Sequence, residues 1–141
     1  MHEKKDSLAK SFMEIGLSFL VAFVIYQALI FATGSQVPVV SIASGSMIPK
    51  FYPGDLVFAA APTGLKTGDI IIYHAECPYM PDKDIIHRIV GFDKGNIITK
   101  GDNNPYPDPC PVSPEQVRGK VIFDAPLLGW PRLLLSYAIG I

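Results

Sequence analysis

The chain divides into two stretches that differ in their hydrophobic pattern. The first is a continuous apolar run at residues 15–32, IGLSFLVAFVIYQALIFA, in which only Ser18 and Gln27 are clearly polar. A membrane-spanning helix needs about 20 mainly apolar residues, so the run predicts a transmembrane anchor over residues 12–34. A buried helix of a soluble protein is one alternative. The other is a cleavable signal peptide, whose apolar core is about 7 to 15 residues long.

The second stretch consists of short apolar, β-branched runs separated by Gly, Pro and Asp, which is the pattern of strands joined by turns. We predict six strands, at residues 37–42, 55–61, 69–75, 84–92, 96–101 and 119–125. The FDKGN sequence at 92–96 predicts a hairpin turn in which Gly95 adopts a positive φ angle. The proline-rich segment at 103–114 predicts a loop, because proline lacks the N–H that a helix interior or a central strand requires.

The final segment, residues 125–141, is apolar again but contains Pro126, Pro131 and Arg132. We expect an interfacial or membrane-facing helix there, with a second membrane span as the alternative. The whole pattern predicts a mainly β fold with one N-terminal transmembrane helix. Its four regions are a tail at 1–11, the anchor at 12–34, a compact β domain at 35–124 and the C-terminal segment at 125–141.

Charge indicates how these regions are arranged across a membrane. Lys4, Lys5 and Lys10 precede the apolar run, whereas no Lys or Arg follows it before Lys50. Because basic flanks tend to stay in the cytoplasm, we expect a cytoplasmic N-terminus and a β domain on the extracellular or lumenal side. The net charge of −1 argues against nucleic acid as a partner, because nucleic-acid-binding proteins concentrate basic residues on one surface.

The two cysteines, Cys77 and Cys110, lie far apart and outside any C-x-x-C pair. Neither a zinc site nor a thioredoxin-like motif is therefore indicated. In an oxidising compartment they can form one disulfide, and two unpaired thiols are the alternative. The sequence has no cluster of metal ligands and no phosphate-binding glycine-rich loop, so we predict neither a metal nor a cofactor.

A Ser-Gly-Ser sequence occupies the break between the anchor and the β domain. Nucleophilic catalysis by serine needs a constrained hydroxyl, a base that takes its proton, and donors for the developing oxyanion. Ser44 and Ser46 supply hydroxyls in a turn, although serines in turns usually cap backbone groups. His74 and His87 are candidate bases in the β domain, and strand alternation puts His87 on the opposite face from Arg88.

Several sequence blocks resemble, in the same order, the signature blocks of type I signal peptidases. They are SGSMIP, FYPGDLV, KTGDIIIY, IIHRIVG, TKGDNN and VRGKVIF, which lie between residues 44 and 123. The archaeal and endoplasmic-reticulum branch is the most similar, because His87 stands where the bacterial branch has its catalytic lysine. The resemblance implies a membrane-bound serine endopeptidase that removes N-terminal signal peptides from translocated preproteins.

The resemblance also implies a role for each matching residue. Ser46 matches the nucleophile and His87 the general base, and imidazole groups ordinarily titrate near pH ~6.5, which suits a base at neutral pH. Ser44 matches the position whose hydroxyl, in bacterial relatives, joins the N–H of the residue matching Ser46 in binding the oxyanion. Two aspartates compete to orient His87. Asp108 resembles the acid of the triad and is our first choice, whereas Asp102 resembles a further carboxylate near the site.

An apolar surface near Ser46 is a further implication, because the substrate leaves the same bilayer that holds the enzyme. We expect this surface to contact lipid or to line shallow substrate pockets, and a place in the core is the alternative for each of its members. The candidates are Met47, Ile48, Phe51 and Tyr52. Secretory preproteins, the lipid bilayer and accessory membrane subunits are the expected partners.

Other assignments of base and function stay open at this point. Lys50 and Lys100 are alternative bases for a Ser–Lys dyad, although both are more simply explained as solvated or interfacial charges. A related membrane protease with a narrower substrate range is one alternative function. A catalytically silent membrane-anchored β domain, acting as a subunit or binding module, is the other. The joint presence of Ser46, His87 and Asp108 argues against the silent form, which has no chemical need for all three.

Overall fold

The computed structural model of the protein describes residues 2–126, 128, 130, 134 and 138. The chain forms two compact units, residues 1–32 and residues 33–141. The first unit contains helix α1, His2–Thr33, except for its last residue, which is counted with the second unit. Within α1, Lys10–Thr33 is a stretch of 24 residues with a mean hydropathy of 2.3, long and apolar enough to cross a membrane.

The predicted anchor is thus a helix of the expected length, but α1 begins before the apolar run. The preceding sequence EKKDSLAK is rich in Glu, Lys, Leu and Ala, which are good helix formers. The helix therefore continues through the charged residues of the predicted tail at 1–11. The predicted C-terminal helix at 125–141 falls mainly on residues outside the described part of the chain.

The second unit is built on one antiparallel sheet with the strand order β1-β2-β6-β3-β4-β5. The strands are β1 Val39–Ser41, β2 Leu56–Ala60, β3 Ile70–His74, β4 Asp84–Asp93, β5 Asn96–Lys100 and β6 Val117–Ala125. A short 3-10 helix, Pro114–Gln116, precedes β6. All six predicted strands are confirmed, and together with α1 they give the predicted mainly β fold.

Strands β4 and β5 form the predicted hairpin. Asp93 pairs with Asn96, which leaves Lys94 and Gly95 as the two loop residues. Their φ angles are 48° and 86°, and positive φ at both positions is the requirement of a type I′ turn. The tight turn is important for the site because β5 then brings the chain back alongside the middle of β4.

The central strand β3 is buried on both faces. Tyr73 belongs to one core cluster and Ile70 to a second. On the neighbouring strand β4, Ile89 belongs to the first cluster and Ile86 packs against the second. Because side chains alternate along a strand, His87 projects on the same side of the sheet as Ile89 and Tyr73.

Candidate active site

Ser46 lies in the loop between β1 and β2, and the turn that follows β5 holds this loop in place. The Asn103 N–H donates to the Ser46 carbonyl at 2.8 Å. The Asn103 side-chain amide donates to the Gly45 carbonyl at 3.2 Å, and the turn is closed by a 3.0 Å hydrogen bond from the Asn104 N–H to the Gly101 carbonyl. The position of Ser46 therefore depends on the turn at residues 101–104.

His87 faces Ser46 from strand β4. Its Nε2 atom lies 3.2 Å from Ser46 Oγ, and only 7% of its side chain is exposed. An imidazole nitrogen at hydrogen-bond distance from a serine hydroxyl has the geometry that proton transfer requires. The arrangement brings together two residues that are 41 positions apart in the sequence.

Gly101 allows Ser46 and His87 to approach each other because it has no side chain. It follows β5 directly, where the β4–β5 pairing ends with Arg88 opposite Lys100. A Cβ atom at this position would lie 2.7 Å from the Ser46 carbonyl oxygen and 2.9 Å from His87 Nε2. Both distances are shorter than real Cβ contacts, so any other residue must displace the serine loop or the imidazole.

Asp108 reaches His87 from the proline-rich loop that follows β5. Its Oδ2 atom lies 2.6 Å from His87 Nδ1, and only 5% of its side chain is exposed. The loop runs back along β5, because the Asp108 N–H donates to the Thr99 carbonyl and the Val112 N–H donates to the Ile97 carbonyl, each at 2.8 Å. The non-proline residues of this segment thus fasten it to the strand.

A disulfide joins Cys110 of this loop to Cys77 in the connection between β3 and β4. Cys110 is two residues from Asp108, so the covalent link restrains the part of the loop that bears the carboxylate. Of the two states that the sequence left open for these cysteines, the structure contains the bonded one.

The carboxylate of Asp108 is held in its charged form. Its Oδ2 atom accepts hydrogen bonds from His87 Nδ1, from Thr99 Oγ1 at 2.6 Å and from Tyr73 OH at 2.9 Å. Burial by itself would raise the pKa of Asp108, but these hydrogen bonds and the charge of a protonated His87 outweigh it and hold the pKa below its ordinary value. His87 therefore faces the carboxylate with an Nδ1–H donor, which leaves the Nε2 lone pair of the neutral ring for the Ser46 O–H.

Asp102 pairs with Arg88 on strand β4. Arg88 Nε donates to Asp102 Oδ1 at 2.8 Å and Arg88 Nη2 donates to Asp102 Oδ2 at 2.6 Å, while Nη1 donates to the Gly68 carbonyl. The hydrogen bonds that Arg88 donates to Asp102 raise the pKa of Arg88, although burial opposes them. Of the two candidate aspartates, Asp108 is the one that contacts His87, whereas Asp102 fastens the turn at 101–104 to β4.

The two serines of the Ser-Gly-Ser sequence lie side by side. Ser44 Oγ is 3.3 Å from Ser46 Oγ. Among the described residues, no group accepts a hydrogen bond from the Ser46 backbone N–H. A free N–H and a neighbouring hydroxyl next to Ser46 Oγ are the kinds of donor that an oxyanion hole needs.

The four residues predicted to line an apolar substrate surface occupy two different environments. Met47 and Phe51 are 1% and 0% exposed and belong to the second core cluster. With almost no accessible surface, these two residues have nothing to offer a peptide or lipid, so the alternative place in the core applies to them. Ile48 is half-buried and Tyr52 is 51% exposed, so both have surface that a substrate can contact.

The other candidate bases are engaged elsewhere. Lys50 Nζ forms an ion pair with Asp124 at 2.9 Å, and Lys100 Nζ donates to the Asn104 carbonyl at 2.6 Å. Both ring nitrogens of His74 lie within about 3.0 Å of aspartate oxygens. Within residues 2–126 and the few described positions after them, no group of three or more His, Cys, Asp and Glu side chains could hold a metal ion.

Sequence reasoning missed Tyr73, Thr99 and Arg88, which contact the two aspartates. Tyr73 looks like an ordinary apolar-facing strand residue, and Arg88 looks like a solvated charge. Thr99 carries one weak signal, because alternation in β5 puts it on the same inward face as Ile97. A polar residue at such a position needs a hydrogen-bond partner, but the sequence does not identify Asp108 as that partner.

A carboxylate, an imidazole and a serine hydroxyl joined in this order form the arrangement of a serine hydrolase, here on a β domain that follows an apolar helix. A family model described as signal peptidase, peptidase S26, matches residues 12–104. The chain belongs to this family, the signal peptidases. The predicted family is thereby confirmed.

Individual relatives agree with the family assignment. The chain is 35% identical over 118 residues to the signal peptidase complex catalytic subunit sec11 of Dictyostelium discoideum. This alignment covers 79% of this chain and 64% of that protein. It is 31% identical over 157 aligned positions to the signal peptidase complex catalytic subunit SEC11 of Tuber melanosporum, covering 96% of this chain and 83% of the relative.

A third relative is the signal peptidase complex catalytic subunit SEC11 of Plasmodium falciparum, which is 34% identical over 118 residues. The alignment covers 80% of this chain and 62% of that protein. The chain therefore spans somewhat less than two thirds of the Dictyostelium and Plasmodium proteins. These similarities confirm the predicted branch, that of the archaeal and endoplasmic-reticulum enzymes. Together with the apolar helix, they indicate association with a membrane.

Proposed function

We propose that this chain is a membrane-bound serine endopeptidase that removes N-terminal signal peptides from translocated preproteins. The observation that carries the proposal is the continuous set of contacts from Asp108 through His87 to Ser46, at 2.6 Å and 3.2 Å. The family assignment supports it independently, because the matched region at residues 12–104 includes Ser46 and His87.

The geometry supports one sequence of proton transfers. His87 Nε2 takes the proton of Ser46 Oγ as the oxygen attacks the scissile carbonyl carbon, and Asp108 stabilises the resulting imidazolium. The Ser46 N–H and the Ser44 hydroxyl donate to the oxyanion. When the intermediate collapses, His87 returns the proton to the leaving amine, which becomes the N-terminus of the mature protein. Water, activated by the same imidazole, then releases the signal peptide from Ser46.

We also propose that the N-terminus lies in the cytoplasm and the β domain on the extracellular or lumenal side. The basic residues before the apolar run support this orientation, and so does the disulfide between Cys77 and Cys110, because disulfides persist in oxidising compartments. An anchored enzyme meets cleavage sites that emerge at the same membrane surface, which raises their effective concentration and restricts their orientation.

Partners follow from this placement. We expect preproteins that have small residues at the first and third positions before the scissile bond, together with the lipid bilayer. Tyr52 and Ile48 are the candidates for substrate contacts, because both have accessible surface. Accessory membrane subunits are a further expectation, since the relatives are named as catalytic subunits of a signal peptidase complex.

Reconstitution of the full chain in lipid vesicles with a model preprotein tests the proposed function. Because a triad nucleophile has no substitute, Ser46→Ala is expected to lower the rate of cleavage by about 10⁴-fold or more. Ser113→Ala, at the start of the 3-10 helix, is the control and is expected to retain the wild-type rate. Unchanged cleavage by the Ser46→Ala protein would contradict the proposal.

A further inference from the structure

Two buried hydroxyl groups lie against Asp108, and neither takes part in the proton transfers proposed above. Tyr73 on β3 and Thr99 on β5 are each only 1% exposed. Tyr73 OH lies 2.9 Å and Thr99 Oγ1 lies 2.6 Å from Asp108 Oδ2. With His87 Nδ1 at 2.6 Å, three donors from three adjacent strands converge on one carboxylate oxygen.

The direction of these hydrogen bonds follows from counting protons. Each hydroxyl has one proton, and a carboxylate can only accept. The two hydroxyl oxygens lie 3.3 Å apart, but Oδ2 is the nearer and the charged acceptor for both. Burial raises the pKa of Tyr73, and the charge of Asp108 adds to this effect although the hydrogen bond from Thr99 opposes it. Tyr73 therefore stays protonated and donates.

Donation by both hydroxyls has a consequence for His87. A carboxylate that accepts several hydrogen bonds in a buried site is held in its charged form. Its third partner, His87 Nδ1, must then also be a donor. The neutral imidazole is therefore restricted to the tautomer with a proton on Nδ1 and a lone pair on Nε2, the atom 3.2 Å from Ser46 Oγ.

We propose that Thr99 and Tyr73 are positioning residues, which keep Asp108 ionised and aimed at His87 and thereby fix the imidazole tautomer that accepts the Ser46 proton. This inference rests on the proposed function of the site. The titratable groups that face the Asp108 carboxylate are His87 from β4 and Tyr73 from β3, whereas β5 contributes the uncharged Thr99. On the other side of His87 are Ser46 and Gly101.

Removing either hydroxyl is expected to change the pH dependence of the reaction. An ionised carboxylate with fewer donors directs more of its negative charge at His87, so it holds the His87 proton more strongly. The deprotonated imidazole is then available only at higher pH. The acid limb of the pH profile of kcat/KM is therefore expected to move to higher pH, a change that a loss of packing alone does not produce.

The test compares four variants of the full chain in lipid vesicles, with cleavage of a model preprotein as the first measurement. Thr99→Val keeps the side-chain shape but lacks the hydroxyl, and Tyr73→Phe does the same on β3. Each is expected to lower kcat/KM by about 10-fold or more, with KM changing less than kcat, because a hydrogen bond to a charged group is lost. Thr99→Ser restores the donor and is expected to return the acid limb to its wild-type position.

Ile97→Val is the matched control, because Ile97 is 1% exposed and lies two residues before Thr99 on β5. It is expected to lower stability without moving the acid limb. The inference is overturned if Thr99→Val and Tyr73→Phe both keep the wild-type acid limb, or if Ile97→Val moves it equally.

A second measurement does not depend on activity. The ¹⁵N chemical shifts of His87, in protein labelled at histidine and held in detergent micelles, report which ring nitrogen carries the proton. The wild type is expected to show the Nδ1–H tautomer, and Thr99→Val or Tyr73→Phe a mixture. A wild type that cleaves no preprotein but shows this dependence on the two hydroxyls would reject the proposed function and keep the positioning roles. Identical spectra in all variants would reject those roles.

Discussion

At the scale of single residues, the site is organised by contacts to two atoms, Asp108 Oδ2 and His87 Nε2. Asp108 Oδ2 accepts three hydrogen bonds. His87 Nε2 faces Ser46 Oγ and also Gly101, which has no side chain. A change of one methyl group or one hydroxyl next to either atom is therefore expected to alter the chemistry more than the fold.

Gly101→Ala tests the contact at His87 Nε2. The added Cβ would lie 2.9 Å from Nε2 and 2.7 Å from the Ser46 carbonyl oxygen, so the nucleophile or the imidazole must shift. We expect kcat/KM for preprotein cleavage to fall by about 100-fold, which is the typical effect of a misplacement of roughly 1 Å. Gly91→Ala on strand β4 is the control, because its Cβ would meet only an ordinary contact of 4.0 Å with Ile98. Equal activity of the two variants would contradict this explanation of Gly101.

The charge of Asp108 also predicts a dependence of stability on acid. Its pKa in the folded protein is held below the ordinary value of about 3.9, so the folded state binds this proton more weakly than the unfolded state does. The stability from the charged group is therefore fully present above about pH 4 and is lost as the pH falls through the lower, folded value. Thermal unfolding in detergent should show that the Tm advantage of the wild type over Asp108→Asn shrinks below about pH 4. A constant difference down to pH 2 would contradict the assignment.

At the scale of elements, the continuous apolar run predicted the apolar part of α1 and the pattern of short β-branched runs predicted all six strands. The turn sequence predicted the β4–β5 hairpin. The strand order was not predictable, because alternation shows which face of a strand is buried but not which strand lies next to it. β6 inserts between β2 and β3, which no local pattern indicates. The contacts of Thr99 and Tyr73 with Asp108 depend on that order and on the return path of the proline-rich loop, so they became visible only in the structure.

The catalytic candidates came from a different source. Spacing alone made Ser46 a weak candidate, and its selection with His87 and Asp108 depended on the resemblance to signal peptidases. The resemblance left Asp102 and Asp108 in competition, since both lie in the segment after β5. Only the hydrogen bonds separate them, because they assign Asp102 to Arg88 and Asp108 to His87.

The disulfide yields a prediction at the same scale. It joins Cys77 and Cys110 across a sequence separation of 33, and a crosslink over that length stabilises a protein by about 3 to 4 kcal/mol. We expect Cys77→Ser/Cys110→Ser to have a lower Tm and a lower kcat, because the loop that bears Asp108 is less restrained. Dithiothreitol should have the same effect on the wild type and no further effect on the double variant. Full activity after reduction would show that β5 alone holds Asp108 in place.

At the scale of the whole molecule, an apolar helix precedes a β domain that bears Ser46, the proposed nucleophile, close to its start. Ser46 lies 13 residues after Thr33, the end of α1. For the proposed signal peptidase, this short connection along the chain limits how far Ser46 can lie from the end of α1.

The central claim is that Asp108, and not Asp102, completes the catalytic arrangement with His87 and Ser46. Its most direct test is kcat/KM for cleavage of a model preprotein by Asp108→Asn and Asp102→Asn proteins, each as the full chain in lipid vesicles. We predict a loss of about 10⁴-fold for Asp108→Asn, because the amide cannot hold the required tautomer. For Asp102→Asn we predict a loss of about 10-fold, from a weakened hydrogen bond to Arg88. A larger loss for Asp102→Asn than for Asp108→Asn would contradict the account.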